Sequence, residues 1–280
     1  MSTENKSLAS ERENALLHGG LRGRMAGAFC TLQSSVDALQ RYLANSATPD
    51  VYDTARAMLE EMTDRIAALE RLSGNAAELA CGVLTRGAEE LSPLELTGYL
   101  NETAACVNEE LAIRGFGARL IVEKTAEQLW VMATTGLVDG IVVNLLSNLL
   151  QAQPGSKMYL TPGPGRTLLY RDEGPGLQKE TAVALLEQGK PPLRLRDNGS
   201  IGLLLVREYA QAMGWTVHVE PGEGLCIRFA FPNFEMPAAW RALWDAAAEN
   251  RTRTGLLASR LNRELDGVFG ACAGKAPEQE

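Results

Sequence analysis

The first part of the chain has two runs of apolar residues spaced by three and four positions, as in amphipathic helices. The first run predicts one long helix from about residue 8 to Asn45, with its apolar stripe at Leu21, Met25, Phe29, Leu32, Val36, Leu39 and Leu43. The second run predicts a helix whose stripe is Val51, Ala55, Met58, Met62, Ile66, Leu69 and Leu72. Between the runs, Thr48 is the predicted N-cap and Pro49 the first helical residue. Two helices with one narrow stripe each cannot close a core, so we expect a second copy to complete a four-helix bundle.

From about residue 91 the pattern changes to short apolar runs that alternate with longer helical ones. Ser92 or Pro93 is predicted to open a helix that extends to Leu111. Further helices are predicted after a cap at Thr134-Thr135 and over residues 201–213. Strands are predicted over residues 120–123, 128–132, 157–160, 167–171, 216–220 and 225–231. This order favours a mixed sheet covered by helices, with a ligand pocket between the helices and the sheet.

Three polar or glycine-rich motifs interrupt the apolar pattern. NLLSN puts Asn144 and Asn148 on one face of an apolar helix, where two amides are costly to bury without a polar partner. DEGPG at residues 172–176 follows a predicted strand, and its glycines allow the backbone to approach a flat ligand. GSIG at residues 199–202 precedes a second apolar helix, whose free N–H groups suit a phosphate.

In this order and spacing, NLLSN, DEGPG and GSIGL resemble the N, G1 and G2 boxes of the histidine-kinase/gyrase/Hsp90/MutL ATPase superfamily. The chain is most similar to the ATP-binding domain of sensor histidine kinases, over roughly residues 91–232. The two N-terminal helices resemble the dimerisation and histidine-phosphotransfer hairpin of the same family. The resemblance implies an α+β protein with a helical hairpin domain at 8–88 and an ATP-binding α/β sandwich at 89–234. Outside the part that resembles the family, the apolar pattern predicts a C-terminal helical extension at 235–270.

The resemblance also implies ATP and Mg²⁺ as cofactors and assigns their site. Asn148 would ligate Mg²⁺, and Asp172 would accept a hydrogen bond from the adenine amino group. Asn144 stands where gyrase-type relatives have a glutamate base, and an amide cannot take a proton at neutral pH, which favours phosphotransfer over hydrolysis. The remaining nucleotide contacts would come from Gly174, Gly176, Gly199, Ser200 and Gly202.

The stretch 178–197 corresponds to the mobile ATP lid of that family. Arg194 and Arg196 lie nearest to GSIG and are the cations expected to reach the phosphates, with an ordinary solvated loop as the alternative. The motifs depart from the family at three positions. Asn198 and Ser200 stand where glycines are usual, and Gln151 stands where a basic residue is frequent. Each departure weakens the expected phosphate contacts.

His18 is the only histidine in the predicted hairpin and is the phosphoacceptor that the resemblance implies. Alignment of Leu21-Arg22 with the family's Leu-Arg instead puts Gly19 at the acceptor position, and His18 is then about 100° away around the helix. Gly19 and Gly20 also replace the acidic neighbour that would serve as base. A surface histidine without a catalytic role is therefore the alternative.

Composition limits the class of protein. The chain has 280 residues, enough for two domains, and its net charge of −8 argues against a nucleic-acid binder. Five scattered cysteines without CxxC spacing predict neither a zinc site nor a disulfide framework, and favour a cytoplasmic protein. No run of about 18 apolar residues is present, so no membrane span is predicted.

Two hypotheses of function follow from these observations. The first is a soluble homodimeric histidine-kinase-like enzyme that transfers the γ-phosphate of Mg·ATP to a histidine, with the receiver domain of a response regulator as partner. The second is a catalytically degenerate phosphotransferase or scaffold that acts by dimerisation and by binding a response regulator. An anti-sigma-factor kinase ranks last, because that class lacks a long N-terminal hairpin.

Overall fold

The chain divides into two compact units. A computed structural model describes residues 25, 27–45, 48–79, 91–124, 128–190, 199–234, 261 and 265. One unit, the hairpin unit, consists of residues 1–85 with 263–280, and the other, the sandwich unit, of residues 86–262. The domain limits that the resemblance implies remain predictions. Most of the predicted C-terminal extension lies outside the described residues, of which Leu261 and Leu265 are helical and buried.

The hairpin unit contains both predicted helices where it is described, and the predicted start of the first helix, residues 8–24, lies outside the described residues. Helix α1 covers residues 27–45 and helix α2 covers Pro49–Ala77. Thr48 occupies the predicted N-cap position of α2 with an extended backbone, but its side chain makes no capping hydrogen bond. Between the helices, Val36 packs with Leu59 and Ile66, and Phe29 and Leu43 border this cluster.

The apolar positions of both helices separate into a buried set and an exposed set. The sequence predicts one stripe per helix, whereas the structure places only part of each stripe between α1 and α2. The large apolar side chains that remain exposed are Met25 before α1, Leu32, Leu39 and Tyr42 on α1, and Val51, Met58, Met62 and Leu69 on α2. The exposed positions of α2 are seven, four and seven residues apart, so they form a second apolar stripe along that helix.

The described part of the sandwich unit begins with a strand that the sequence analysis did not predict. A helix was predicted from Ser92 or Pro93, but strand β1, Ser92–Glu95, pairs antiparallel with strand β3, Trp130–Ala133, and helix α3 begins afterwards at Leu96–Ile113. The Glu95 side chain accepts hydrogen bonds from the backbone N–H groups of Thr97 and Gly98, which caps α3. The helix therefore starts at its carboxylate cap and not at Pro93.

The main sheet has five strands in the order β2-β4-β5-β7-β6. The strands are β2 (Arg119–Val122), β4 (Lys157–Gly163), β5 (Thr167–Asp172), β6 (Thr216–Val219) and β7 (Cys226–Ala230). Strands β2 and β4 are parallel, and the other neighbours are antiparallel. Each of these strands matches a predicted one, and the mixed sheet confirms the predicted fold class.

Helices α4 (Thr135–Ala152) and α6 (Gly199–Ala212) pack against each other in the sandwich unit. Helix α4 is long and apolar enough to pass a composition test for a membrane span, the only described helix to do so. Thirteen of its 18 residues are buried inside the unit, however, which is typical of the core helix of a globular domain. The short helix α5 covers Lys179–Leu186.

Candidate functional site

Asn144 and Asn148 lie on the face of α4 that meets the first turn of α6. Asn144 is buried, and its Nδ2 donates a hydrogen bond to the carbonyl oxygen of Gly140 at 2.8 Å. Asn148 is half-buried, and its Nδ2 has no hydrogen-bond partner in the described part of the chain. A Cβ placed on Gly202 would lie 3.1 Å from Asn148 Oδ1 and 3.2 Å from Asn144 Oδ1. Both amides therefore lie directly against a residue that has no side chain.

Asp172 is the last residue of β5, and its carboxylate is buried among three donors. Oδ1 accepts hydrogen bonds from the backbone N–H groups of Gly174 and Leu225, both at 3.0 Å. Oδ2 accepts a hydrogen bond from the hydroxyl of Tyr170 at 2.5 Å. Because a carboxylate offers about four acceptor sites, one site on Oδ2 remains for a further donor.

The phenol of Tyr170 is fully buried beneath this carboxylate. Burial, and then the negative charge of Asp172, raises the pKa of Tyr170 well above its usual value. The hydroxyl therefore keeps its proton at neutral pH and acts as a donor to Asp172.

Glycines surround Asp172 on two turns. Gly176 has a φ of +73°, a conformation that favours glycine, and a Cβ there would lie 3.0 Å from the carbonyl oxygen of Gly224. Gly224 has a φ of +75°, and a Cβ on it would collide with the backbone oxygen of Asp172. The turn after β5 and the turn before β7 therefore pack together with no room for side chains.

The turn that follows Asp172 also contacts α4. A Cβ on Gly174 would lie 3.0 Å from Leu149 Cδ1 and 3.2 Å from Asp172 Oδ1. Leu149 is the neighbour of Asn148, which contacts Gly202. One turn of α4 thus touches both glycine motifs, and the three motifs separated in sequence meet at a single place in the sandwich unit.

The donor set at this place fits a hydrated cation shared with a ligand. An amide oxygen is a suitable Mg²⁺ ligand, and Mg²⁺ usually keeps waters and substrate phosphates rather than entering an all-protein cage. Among the described residues, the Nδ2 atom of Asn148 has no hydrogen-bond partner, so no hydrogen bond at that atom fixes the orientation of the amide. No group of three His, Cys, Asp or Glu side chains that could hold a metal occurs in the residues described.

Part of the predicted phosphate-binding and lid region lies outside the described residues. His18, Arg194 and Arg196 fall outside the described residues, and Gly199 and Ser200 are placed as the first two residues of α6. The first half of the predicted lid is not a loop, because it forms helix α5 with Ala182, Leu185 and Leu186 buried. Its exposed Lys179 and Lys190 are the lid cations that the structure does place.

Gln151 does not replace the basic residue that is frequent at its position in the family. Its Nε2 donates to the carbonyl oxygen and to Oγ of Ser147, both at 3.0 Å. The side chain is therefore held along its own helix, and it carries no charge.

Comparison with known proteins identifies the architecture. No protein-family model and no curated protein matches the chain. Among solved structures, histidine kinase ThkA in complex with response regulator TrrA is 15% identical, covers 82% of this chain and 66% of that chain, and has a TM-score of 0.51. The chain has the fold of a histidine kinase core.

Two further solved structures are similar to about half of this chain. The mycobacterial sensor histidine kinase MprB is 19% identical, covers 52% of this chain and 99% of that chain, and has a TM-score of 0.41. A nucleotide-free catalytic domain of ThkA is 20% identical, covers 51% of this chain and 97% of that chain, and has a TM-score of 0.42. At these identities the likeness concerns the fold alone.

Within the histidine kinase fold, the structure brings together most of the site residues that the sequence indicated. Asn144, Asn148 and Gly202 are in contact, and Asp172 adjoins Gly174. Two participants were missed in the sequence analysis. Tyr170 lies within the predicted strand 167–171 and Gly224 between two predicted strands, and the sequence analysis assigns neither of them a role at the site. The alternation of inward and outward side chains along β5 was the available signal for Tyr170, because it points to the same side as Asp172.

Proposed function

We propose that the sandwich unit binds Mg·ATP at the place where the three motifs meet. The observation that carries this proposal is the contact of one turn of α4 with both glycine motifs, together with the Nδ2 atom of Asn148, which has no hydrogen-bond partner among the described residues. Asn148 would ligate Mg²⁺ through its amide oxygen. Asp172 would accept the purine amino group at its remaining acceptor site. Gly174 and Gly176 would allow the base to approach the backbone.

The phosphate end of the nucleotide would lie at the N-terminus of α6. Gly199, Ser200 and Gly202 belong to the first turn of that helix, where backbone N–H groups lack intrahelical partners. When bound, Mg²⁺ would neutralise charge on the phosphates. The lid cations, of which Arg194 and Arg196 are our choice, would add direct contacts to the phosphate oxygens.

The chemistry that best fits this site is transfer of the γ-phosphoryl group to a histidine. Asn144 occupies the position next to Asn148 on the helix face, and its Nδ2 is held by the carbonyl oxygen of Gly140. An amide cannot abstract a proton from water, so Asn144 favours transfer to an acceptor over hydrolysis. His18 is the acceptor that we propose.

The exposed apolar stripe of the hairpin unit supports a homodimer. Leu39 is 47% exposed and Met58 is 63% exposed, although both lie in apolar stripes at helical spacing. A second copy placed against these stripes would form the four-helix bundle that the sequence predicts. By analogy with ThkA, which was solved with the response regulator TrrA, we propose a receiver domain as the partner that accepts the phosphoryl group.

A second candidate function is a scaffold that binds a response regulator without phosphorylating itself. The observation that favours it is the Gly19-Gly20 pair, which stands where an acidic residue would serve as base beside His18. In that case the hairpin would still form the dimer, and nucleotide would act as a regulator or would not bind.

One experiment separates these functions. The full chain is incubated with Mg²⁺ and ATP labelled at the γ-phosphate, and acid-labile label is measured on the protein. The kinase hypothesis predicts label that is absent in His18→Gln and retained in His218→Gln. His218 is the matched control, since it is the only other histidine and is exposed on β6. ATP binding without label would support the regulated scaffold, and no ATP binding would refute the proposed nucleotide site.

A further inference from the structure

Tyr170 forms a contact with the site that none of the three motifs includes. It lies two residues before Asp172 on β5, on the same face of the sheet, and its side chain is fully buried. Its hydroxyl donates to Asp172 Oδ2 at 2.5 Å, a length typical of a strong hydrogen bond to a charged acceptor.

The three donors around Asp172 fix the carboxylate in different ways. The backbone N–H groups of Gly174 and Leu225 hold Oδ1 and fill both of its acceptor sites. They hold only one of the two carboxylate oxygens. The Tyr170 hydroxyl holds the other oxygen, so the carboxylate is restrained at both ends against rotation about its Cβ–Cγ bond. One acceptor site of Oδ2 then remains, and it points in a fixed direction.

We propose that Tyr170 is a positioning residue for base recognition, which holds Asp172 so that Oδ2 presents a single acceptor site to one N–H group of the bound base. This inference rests on the proposed nucleotide site. A base that offers two adjacent N–H donors would form no second hydrogen bond here, because backbone N–H groups already occupy both acceptor sites of Oδ1. A base with one exocyclic amino group, as in adenine, matches the remaining site.

The test compares ATP with purine riboside triphosphate, which has hydrogen in place of the 6-amino group. Dissociation constants are measured on the full chain with Mg²⁺, for the unchanged protein and for Tyr170→Phe. The variant removes one hydroxyl and keeps the buried ring. We expect it to weaken ATP binding about five- to tenfold, the usual effect of one hydrogen bond, and to leave purine riboside triphosphate unchanged. A general packing defect would weaken both nucleotides.

Tyr159→Phe is the matched control. Tyr159 also donates from its hydroxyl to a carboxylate, Glu173 Oε1 at 2.6 Å. Its neighbour Leu160 pairs with Tyr170, so Tyr159 points to the opposite face of the sheet. We expect Tyr159→Phe to bind both nucleotides as the unchanged protein does.

Asp172→Asn shows whether Tyr170 acts through Asp172. Combined with Asp172→Asn, the Tyr170→Phe change should cause no further loss of ATP binding. Equal or tighter ATP binding by Tyr170→Phe alone would overturn the inference, because the hydroxyl would then contribute nothing to ATP binding or would compete with the base for Asp172. If Tyr170→Phe does not fold, 3-fluorotyrosine at position 170 keeps the ring and the hydroxyl and changes only the strength of the donor, so it should alter the affinity for ATP and leave that for purine riboside triphosphate unchanged. Failure of the unchanged protein to bind ATP would overturn the proposed function together with this inference.

Discussion

Gly202→Ala tests the role of the asparagine pair, because it adds one methyl group at the point where both amides meet α6. Alanine stabilises a helix interior by about 1 kcal/mol relative to glycine. The new Cβ would lie 3.1 Å from Asn148 Oδ1 and 3.2 Å from Asn144 Oδ1, so both side chains have to move by a few tenths of an ångström. The two amides differ in how easily they can do so.

Asn144 is 4% exposed and bonded to the Gly140 carbonyl, and its displacement would cost about 1 kcal/mol for that hydrogen bond. Asn148 is half-buried with a free Nδ2, so it can turn at little cost. The gain in helix propensity and the cost at Asn144 nearly cancel. We therefore expect the free energy of unfolding to change by less than about 1 kcal/mol, while Asn148 leaves the position from which it would ligate Mg²⁺.

Displacement of a ligand or of its support commonly lowers metal affinity by about 10- to 100-fold. We expect Gly202→Ala to bind Mg·ATP that much more weakly in calorimetric titrations, and to bind ATP in EDTA nearly as the unchanged protein does. Gly136→Ala, in the first turn of α4, is the control, since its Cβ would have no atom within 4 Å. Equal loss with and without Mg²⁺ would show that Asn148 does not act through the metal, and unchanged binding would remove Asn148 from the site.

Three further changes test other parts of the structure. Gly224→Ala should lower the free energy of unfolding by about 3 kcal/mol or more in urea titrations, because the Cβ collides with the Asp172 backbone at a φ of +75°; a loss below 1 kcal/mol would contradict this packing. Met58→Glu should convert the dimer into monomers in light scattering, whereas Arg56→Gln, with the same charge change away from the exposed stripe, should not; a dimeric Met58→Glu would refute the bundle. Cys226 should react with iodoacetamide more slowly than exposed Cys106, because burial, and then the charge of Glu220, raises the pKa of the Cys226 thiol and lowers its thiolate fraction. Equal rates by mass spectrometry would contradict its burial.

The spacing of apolar residues predicted most elements of the fold, because it indicates which face of each helix or strand is buried. It did not predict β1, since Ser92-Pro93 has the composition of a helix start. Pro93 is buried in a two-stranded sheet opposite Met132, a pairing between residues 39 positions apart that local pattern does not contain. A proline is tolerated there because each strand of a two-stranded sheet is an edge strand.

The sequence indicated those residues of the candidate site that depart from the apolar pattern around them or interrupt a regular element. Asn144 and Asn148 are polar on an apolar helix, and Gly174 and Gly202 lie at the boundaries of regular elements. Tyr170 does not depart from its surroundings in this way, because an aromatic residue is ordinary in a buried strand. Its role depends on the sheet, which directs its hydroxyl to Asp172.

The energetics of α4 explain why its two asparagines are informative. A buried amide without a hydrogen bond costs about 1–3 kcal/mol, and leucine at both positions would avoid that cost in a helix that is otherwise apolar. Asn144 recovers part of the cost by donating to Gly140, but Asn148 leaves its Nδ2 without a partner in the described part of the chain. Neither amide stabilises the packing of α4 against α6 as an apolar side chain would. Gly202 leaves room for both amides, although glycine stabilises a helix less than alanine would. Two residues that each lower the stability of the same contact are best explained by a ligand that Asn148 meets when the site is filled.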